Sequence, residues 1–234
     1  MTEVQASAKV RASLDRELVN LQKKVLVMGK RVDETIVSSL QALRERDDKL
    51  ARRIIEDDST LNAMRYEIEE KGLTIIATQQ PAARDLREIM AAMSIVTDLE
   101  RMGDHAAGIA KTVLFLEESS MWMLPVGLIH MSELARTMLR RTLEAYMQRD
   151  VDLAYAVALQ DDLIDTQYRV LFKEILGSMI DTSDTTDVLL YYLFSGHNLE
   201  RIADRVTNIA ERVIFMSSGE MTELNPEQGM TSLI

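Results

Sequence analysis

The sequence predicts an all-α fold built from two tandem antiparallel three-helix bundles, six long helices produced by an internal duplication. Two observations carry this expectation. Helix-favouring Ala, Leu, Met, Glu and Arg dominate a chain with 5% aromatic residues and three prolines. The stretch "TDLERMGDHAAGIAKTVLFL" from Thr97 nearly recurs, one hundred residues on, as "HNLERIADRVTNIAERVIFM" from His197.

The breaks divide the chain in order. "ERDDK" near Asp47, "TQQPAARD" around Pro81, "LEESSMWMLPVG" around Pro125, "MQRDVD" near Asp150 and "DTSDTTD" near Ser183 separate six segments, and a tail follows Ser217. Pro81 cannot sit inside a helix without losing a hydrogen bond, so the second helix ends near Gln80 and the third begins there. In the second half, "DTSDTTD" supplies turn formers and N-caps. The third segment carries an apolar line at Ala92, Val96, Leu99, Gly103, Ala106, Ala110 and Val113, the three-and-four spacing of one helix face. The sixth segment repeats it at Gly196, Leu199, Ala203, Val206, Ala210 and Val213. Upstream, a shift of 103 sets Arg46, Asp47, Leu50, Ala51, Asp58, Leu61 and Asn62 opposite Arg149, Asp150, Leu153, Ala154, Asp161, Ile164 and Asp165. The expected organisation is a first bundle over 1–121, a second over 122–217 and a tail over 218–234.

Composition excludes much chemistry. A net charge of −11 with no basic stripe opposes nucleic-acid binding. The polar start and the lack of any long apolar run predict neither a signal peptide nor a membrane span, hence a cytoplasmic protein without direct membrane insertion. With no cysteine there are no disulfides, thiolate metal sites or cysteine nucleophiles. No phosphate-binding Gly-x-x-x-x-Gly-Lys loop occurs, and three histidines do not furnish an assignable triad, so the chain reads as a non-enzyme.

The charged part of the repeat needs more than packing to explain it. Glu100, Arg101 and Asp104 recur as Glu200, Arg201 and Asp204. A spacing of four turns the helix by only about 40°, so Glu100 and Asp104 are neighbours beside the apolar seam. Paired carboxylates repel each other, and a bound cation reverses that sign. The second helix of each half offers partners at matching positions, Asp58 and Asn62 in one and Asp161 and Asp165 in the other. Such oxygen ligands suit Mg²⁺, Mn²⁺ or iron, with zinc a further candidate. A single Glu-x-x-x-Asp is more often a solvated face; duplication with matching partners favours ion binding. Arg101 and Arg201 either orient a carboxylate or lie in solvent. His105 and His130, unmatched in the other half, read as surface residues, whereas His197 shares the row of Glu200 and Asp204. Met121 and Met123 beside Trp122 are the expected exposed apolar patch.

The paired "LERMGD" and "NLERIAD", preceded by "QPAARDLREIM" and accompanied by "RRIIEDDSTLNAM", resemble the PhoU family of phosphate-specific transport accessory proteins from about Leu14 to Phe215. The resemblance implies a multinuclear iron or zinc cluster on each Glu-x-x-x-Asp row, Glu100 with Asp104 and Glu200 with Asp204. It implies a cytoplasmic, often dimeric regulator that holds phosphate uptake and the starvation response down when phosphate is plentiful. Its partners would be the ATPase subunit of the phosphate transporter and the phosphate-sensing histidine kinase. Ala203 stands where the family often has Gly, Asn62 faces Asp165 and Thr97 faces His197, so the two sites are expected to differ. The rival readings are a ferritin-like carboxylate-bridged metalloenzyme, disfavoured because no histidine has Glu three residues before it, and a helical adaptor acting through its carboxylates.

Overall fold

The structure is a computed structural model that describes residues 3–116, 123–181 and 186–224, with side chains described within 11–116, 123–179 and 186–224. Its helices are α1 (Glu3–Glu45), α2 (Asp48–Gln79), α3 (Ala83–Val113), α4 (Val126–Gln148), α5 (Val151–Ala158), α6 (Asp161–Asp181) and α7 (Thr186–Ser218), with no strand among the described residues. The expected boundary at 121–122, the Met121–Trp122 part of the apolar patch and the turn at Ser183 lie outside the described residues; Met123 is exposed.

The turns show the duplication at atomic level. Arg46 and Arg149 each close a helix with a left-handed backbone, φ 55° and 56°, although neither is glycine. Behind them, the N–H groups of Asp47 and Asp150 each reach back to a carbonyl five residues earlier, on Ala42 and Ala145, both at 3.0 Å. This is the six-to-one bond that stops a helix. The same aspartates then cap the next helix, their carboxylates accepting from the N–H of Leu50 and Leu153 at 2.9 Å. At the other end of α2, Gln80 takes φ 46° and Pro81 follows, so the chain stops and restarts where the proline requires.

One departure from six helices concerns the fifth segment. It divides at Leu159–Gln160, where Gln160 N–H bonds Val157 O at 2.9 Å and a new helix starts with Asp161 and Asp162 in its first turn. Two adjacent carboxylates are favourable at a helix N-terminus, near its exposed N–H groups, and unfavourable in a helix interior. At the matching positions α2 runs on without interruption.

Packing ties the halves together. α1, α2 and α3 pack on one another, α4 and α7 pack on each other and each on both α5 and α6, and the two repeated helices α3 and α7 share the most extensive contact of all. They run antiparallel, with Thr112 beside Ser195 and Asp98 beside Asn208. α1 and α4 cross similarly: Arg136 makes a bidentate pair with Asp33 at 2.8 and 3.1 Å, and a side chain on Gly29 would overlap Leu143. Buried residues from every helix therefore join one hydrophobic core. α2 covers the first half and α5–α6 the second, and these outer helices bring their carboxylates up to the rows on α3 and α7.

Candidate functional site

In the first half, the apolar line of α3 is buried from Ala92 to Val113, which places Glu100 and Asp104 on its flank facing α2. Gly103 makes the approach close, since a Cβ there would overlap Leu61 Cδ1 and stand 3.9 Å from Asp58 Oδ1. Burial, then the charge of Asp104, pushes the Asp58 carboxyl above its ordinary range. Glu100 is raised as well, by burial first, with Asp104 and Asp58 adding and Arg65 opposing. Arg65 Nη1 bonds Glu100 Oε1 at 3.1 Å while its guanidinium lies 4.8 Å over the Tyr66 ring. Asn62, half-buried, sits one turn beyond Asp58 on α2, and Asp104 is exposed.

The second half repeats the layout with different chemistry. Glu200 Oε2 meets His197 Nδ1 at 2.8 Å, and Arg201 Nη1 donates to Asp204 Oδ2 at 3.0 Å, so Arg201 orients its carboxylate. Burial, then Asp204, raises Asp165, and burial raises Glu200 against the opposing charge of His197. Tyr168 stands where the first half has Arg65; its ring lies 6.2 Å from that of His197, and burial, then Glu200, raises its phenol. Asp161, the counterpart of Asp58, is buried at the first residue of α6. The outer carboxylate felt by Glu200 and Asp204 is thus Asp165, one turn further along its helix than Asp58 is on α2.

The two rows are not equivalent. An arginine offsets Glu100, whereas an imidazole offsets Glu200. Among the described residues no group of three or more His, Asp and Glu stands in an arrangement that could hold a metal ion. The donor set, oxygens with one imidazole, nevertheless has the chemistry of a hard or borderline cation site.

Between the rows lies a polar seam that inspection of the repeat for carboxylates overlooks. Asp98 accepts from Asn208 at 3.4 Å and lies 3.6 Å from Arg205 Nη1. Its pseudo-symmetric counterpart Asn198 meets His105 Nδ1 at 3.0 Å and packs against Gly108. Each contact is the image of the other under the shift of 100, because the repeated helices face one another across a pseudo-twofold. His105, expected at the surface because no histidine matches it in the other half, is instead half-buried in this seam; burial pushes its imidazole below the ordinary value, against the Asn198 hydrogen bond and with Arg205 and Arg201. His130 is exposed. The alternation Asp98/Asn198 and Gly108/Asn208 was visible in the repeat, but only antiparallel packing makes those residues partners.

Fold and site together define a class: an all-helical protein of two like halves, α1–α3 and α4–α7, each with a carboxylate row, and no helix among the described residues long and apolar enough to cross a membrane. The PhoU domain model matches residues 25–113 and again 128–213. The chain is 36% identical over 216 residues to the phosphate-specific transport system accessory protein PhoU homolog of Clostridium acetobutylicum, covering 92% of this chain and 99% of that one. It is 38% identical to the PhoU homolog of Streptococcus pneumoniae serotype 4, covering 92% and 100%. Among solved structures, the phosphate transport system regulatory protein PhoU from Streptococcus pneumoniae superposes with a TM-score of 0.83 at 37% identity, covering 90% of this chain and 99% of that chain. PhoU from Pseudomonas aeruginosa gives 0.83 at 33% identity, covering 88% and 99%. The chain belongs to the PhoU family.

Proposed function

We propose that this chain is a non-enzymatic accessory protein of phosphate transport. Working in the cytoplasm as a homodimer, it holds down uptake and the phosphate-starvation response when phosphate is plentiful. It acts by contact with the ATPase subunit of the phosphate transporter and with the phosphate-sensing histidine kinase. The observation that carries this reading is the full-length correspondence with relatives named as such accessory proteins, spanning both halves. The packing of α3 on α7 and of α1 on α4 suits a docking scaffold, since bidentate and seam contacts link the two halves.

The carboxylate rows are its ion-binding element. Glu100 and Asp104 with Asp58 and Asn62 would hold one centre, and Glu200 and Asp204 with Asp161 and Asp165 the other, iron or zinc being the favoured metals and Mg²⁺ or Mn²⁺ the alternatives. A bound cation would supply positive charge that relieves the carboxylate repulsion and stiffens the pairing of outer and inner helices. The repulsion that Asp104 exerts on Asp58 and Glu100, and Asp204 on Asp165 and Glu200, supports this, because a cation placed between them relieves it.

The test of the signalling role is a phosphate-starvation reporter in phosphate-rich medium. Deletion should switch it on and restoration should switch it off; a reporter unmoved by deletion in a strain without a second copy overturns the role. For the metal, elemental analysis of the purified protein should fall to one site's worth in Glu100→Ala/Asp104→Ala, and unchanged content would sink the first-site assignment.

A further inference from the structure

The duplication lets each carboxylate row be compared with the other. At the first row a positive charge is already in place: Arg65 reaches from α2 to α3 and donates from Nη1 to Glu100 Oε1 at 3.1 Å. The pair is sheltered, its side chains 21 and 12% exposed, so water screens it less than an ordinary surface pair. Among the charges acting on Glu100, that of Arg65 acts most strongly. The guanidinium also has a second resting place. Its buried Nε makes no hydrogen bond but lies 3.7 Å from Glu69 Oε1, one turn along the same helix, and the group stands over the Tyr66 ring. At the second row all three residues differ: under the shift of 103, Arg65, Tyr66 and Glu69 become Tyr168, Arg169 and Phe172. Tyr168 brings no positive charge, and Arg169 turns back onto its own helix, bonding Asp165 O and Thr166 Oγ1. Glu200 instead meets the imidazole of His197, a group that when neutral is itself a common metal ligand. Arg201 does pair with Asp204, but that pair is 49 and 34% exposed, and Arg101 stands at the matching position of the first row, so it does not distinguish the two.

Resting on the ion-binding reading above, we infer that Arg65 is a resident cation that competes with a metal ion for Glu100, so that the second centre fills first and the first fills only as the guanidinium is displaced toward Glu69 and Tyr66. A metal ion entering the first centre must break a charge-assisted hydrogen bond held in a partly dry site. One entering the second displaces no arginine from Glu200. Arg65 therefore sets the difference in affinity between rows that otherwise match. While the first centre is empty, the same guanidinium ties α2 to α3.

The probe is Zn²⁺ alone, titrated calorimetrically into the metal-free full chain. Glu200→Ala/Asp204→Ala isolates the first centre, and Glu100→Ala/Asp104→Ala isolates the second. The isolated first centre should bind Zn²⁺ more weakly than the isolated second. Adding Arg65→Met to the first-centre background keeps the reach of the side chain and removes its charge; it should tighten binding by about tenfold or more, the worth of a charge-assisted hydrogen bond. Arg65→Lys, which keeps the charge, should leave the first centre weaker than Arg65→Met does. The reciprocal Tyr168→Arg should weaken the second centre. Because Arg65 is partly exposed, its variants should keep the helical circular dichroism of the parent. If Arg65→Met leaves first-centre affinity unchanged, or matches Arg65→Lys, while the second centre binds, the inference is overturned and the ion-binding reading stands. Zn²⁺ bound at neither centre in any variant would overturn both.

Discussion

Replacing Gly103 by Ala tests how the first site is assembled. Gly103 lies between the two acidic residues of the row, and its missing side chain lets Leu61, itself only 2% exposed, rest against α3. A Cβ would overlap Leu61 Cδ1, and burial on every side leaves that leucine little room to turn. Ala in place of a mid-helical Gly gains about 1 kcal/mol of helix propensity. Overpacking a filled core costs about 1–3 kcal/mol, so the net is a loss of roughly 0–2 kcal/mol together with displacement of Asp58 from Asp104. The second half contains the alternative solution, Ala203 with Ile164, both fully buried. Gly103→Ala/Leu61→Ile should therefore recover the loss. Urea unfolding followed by far-ultraviolet circular dichroism measures both variants. A single variant stabilised by the full propensity gain, or a double variant weaker than the single, would refute the packing argument.

The paired caps give a second prediction: Asp47→Ala and Asp150→Ala should each lower stability by about 1 kcal/mol in urea unfolding, since each removes the acceptor for one helix N-terminus. A third concerns pH. Burial raises the Glu88 carboxyl above 4.5 against the opposing charges of Arg149 and Arg84. The folded state thus holds this proton more tightly than the unfolded chain, and stability from this group falls as pH rises from about 4.5 through the folded value. Glu88→Gln should flatten that part of the stability-versus-pH curve; a profile unchanged in shape would show that the raised group lies elsewhere.

Much was legible before any coordinates. Positions of helix ends followed from Asp47, Pro81 and Asp150, whose local chemistry decides the outcome regardless of what packs nearby. The rows Glu100/Asp104 and Glu200/Asp204 were legible because four-residue spacing on a helix fixes adjacency. The split of the fifth helix was less so: Asp161 and Asp162 are compatible with a helix interior until their burial and the start of α6 are known. The half-burial of His105 was not legible, because its partner lies 93 residues away, across a contact that neither helix announces.

By itself, then, the sequence determined the local and periodic features: the all-helical class, the duplication, the turn geometry and which side chains share a face. Tertiary structure alone decided how the copies are used. Antiparallel docking of α3 on α7 turned repeated residues into seam partners, and it merged two units into one core. It also set Arg65 against Glu100 but His197 against Glu200, so similar rows acquired different electrostatics. The physical reason is that helix spacing is a short-range property of the backbone, whereas the field at a carboxylate depends on whatever charges packing brings within a few ångströms of it.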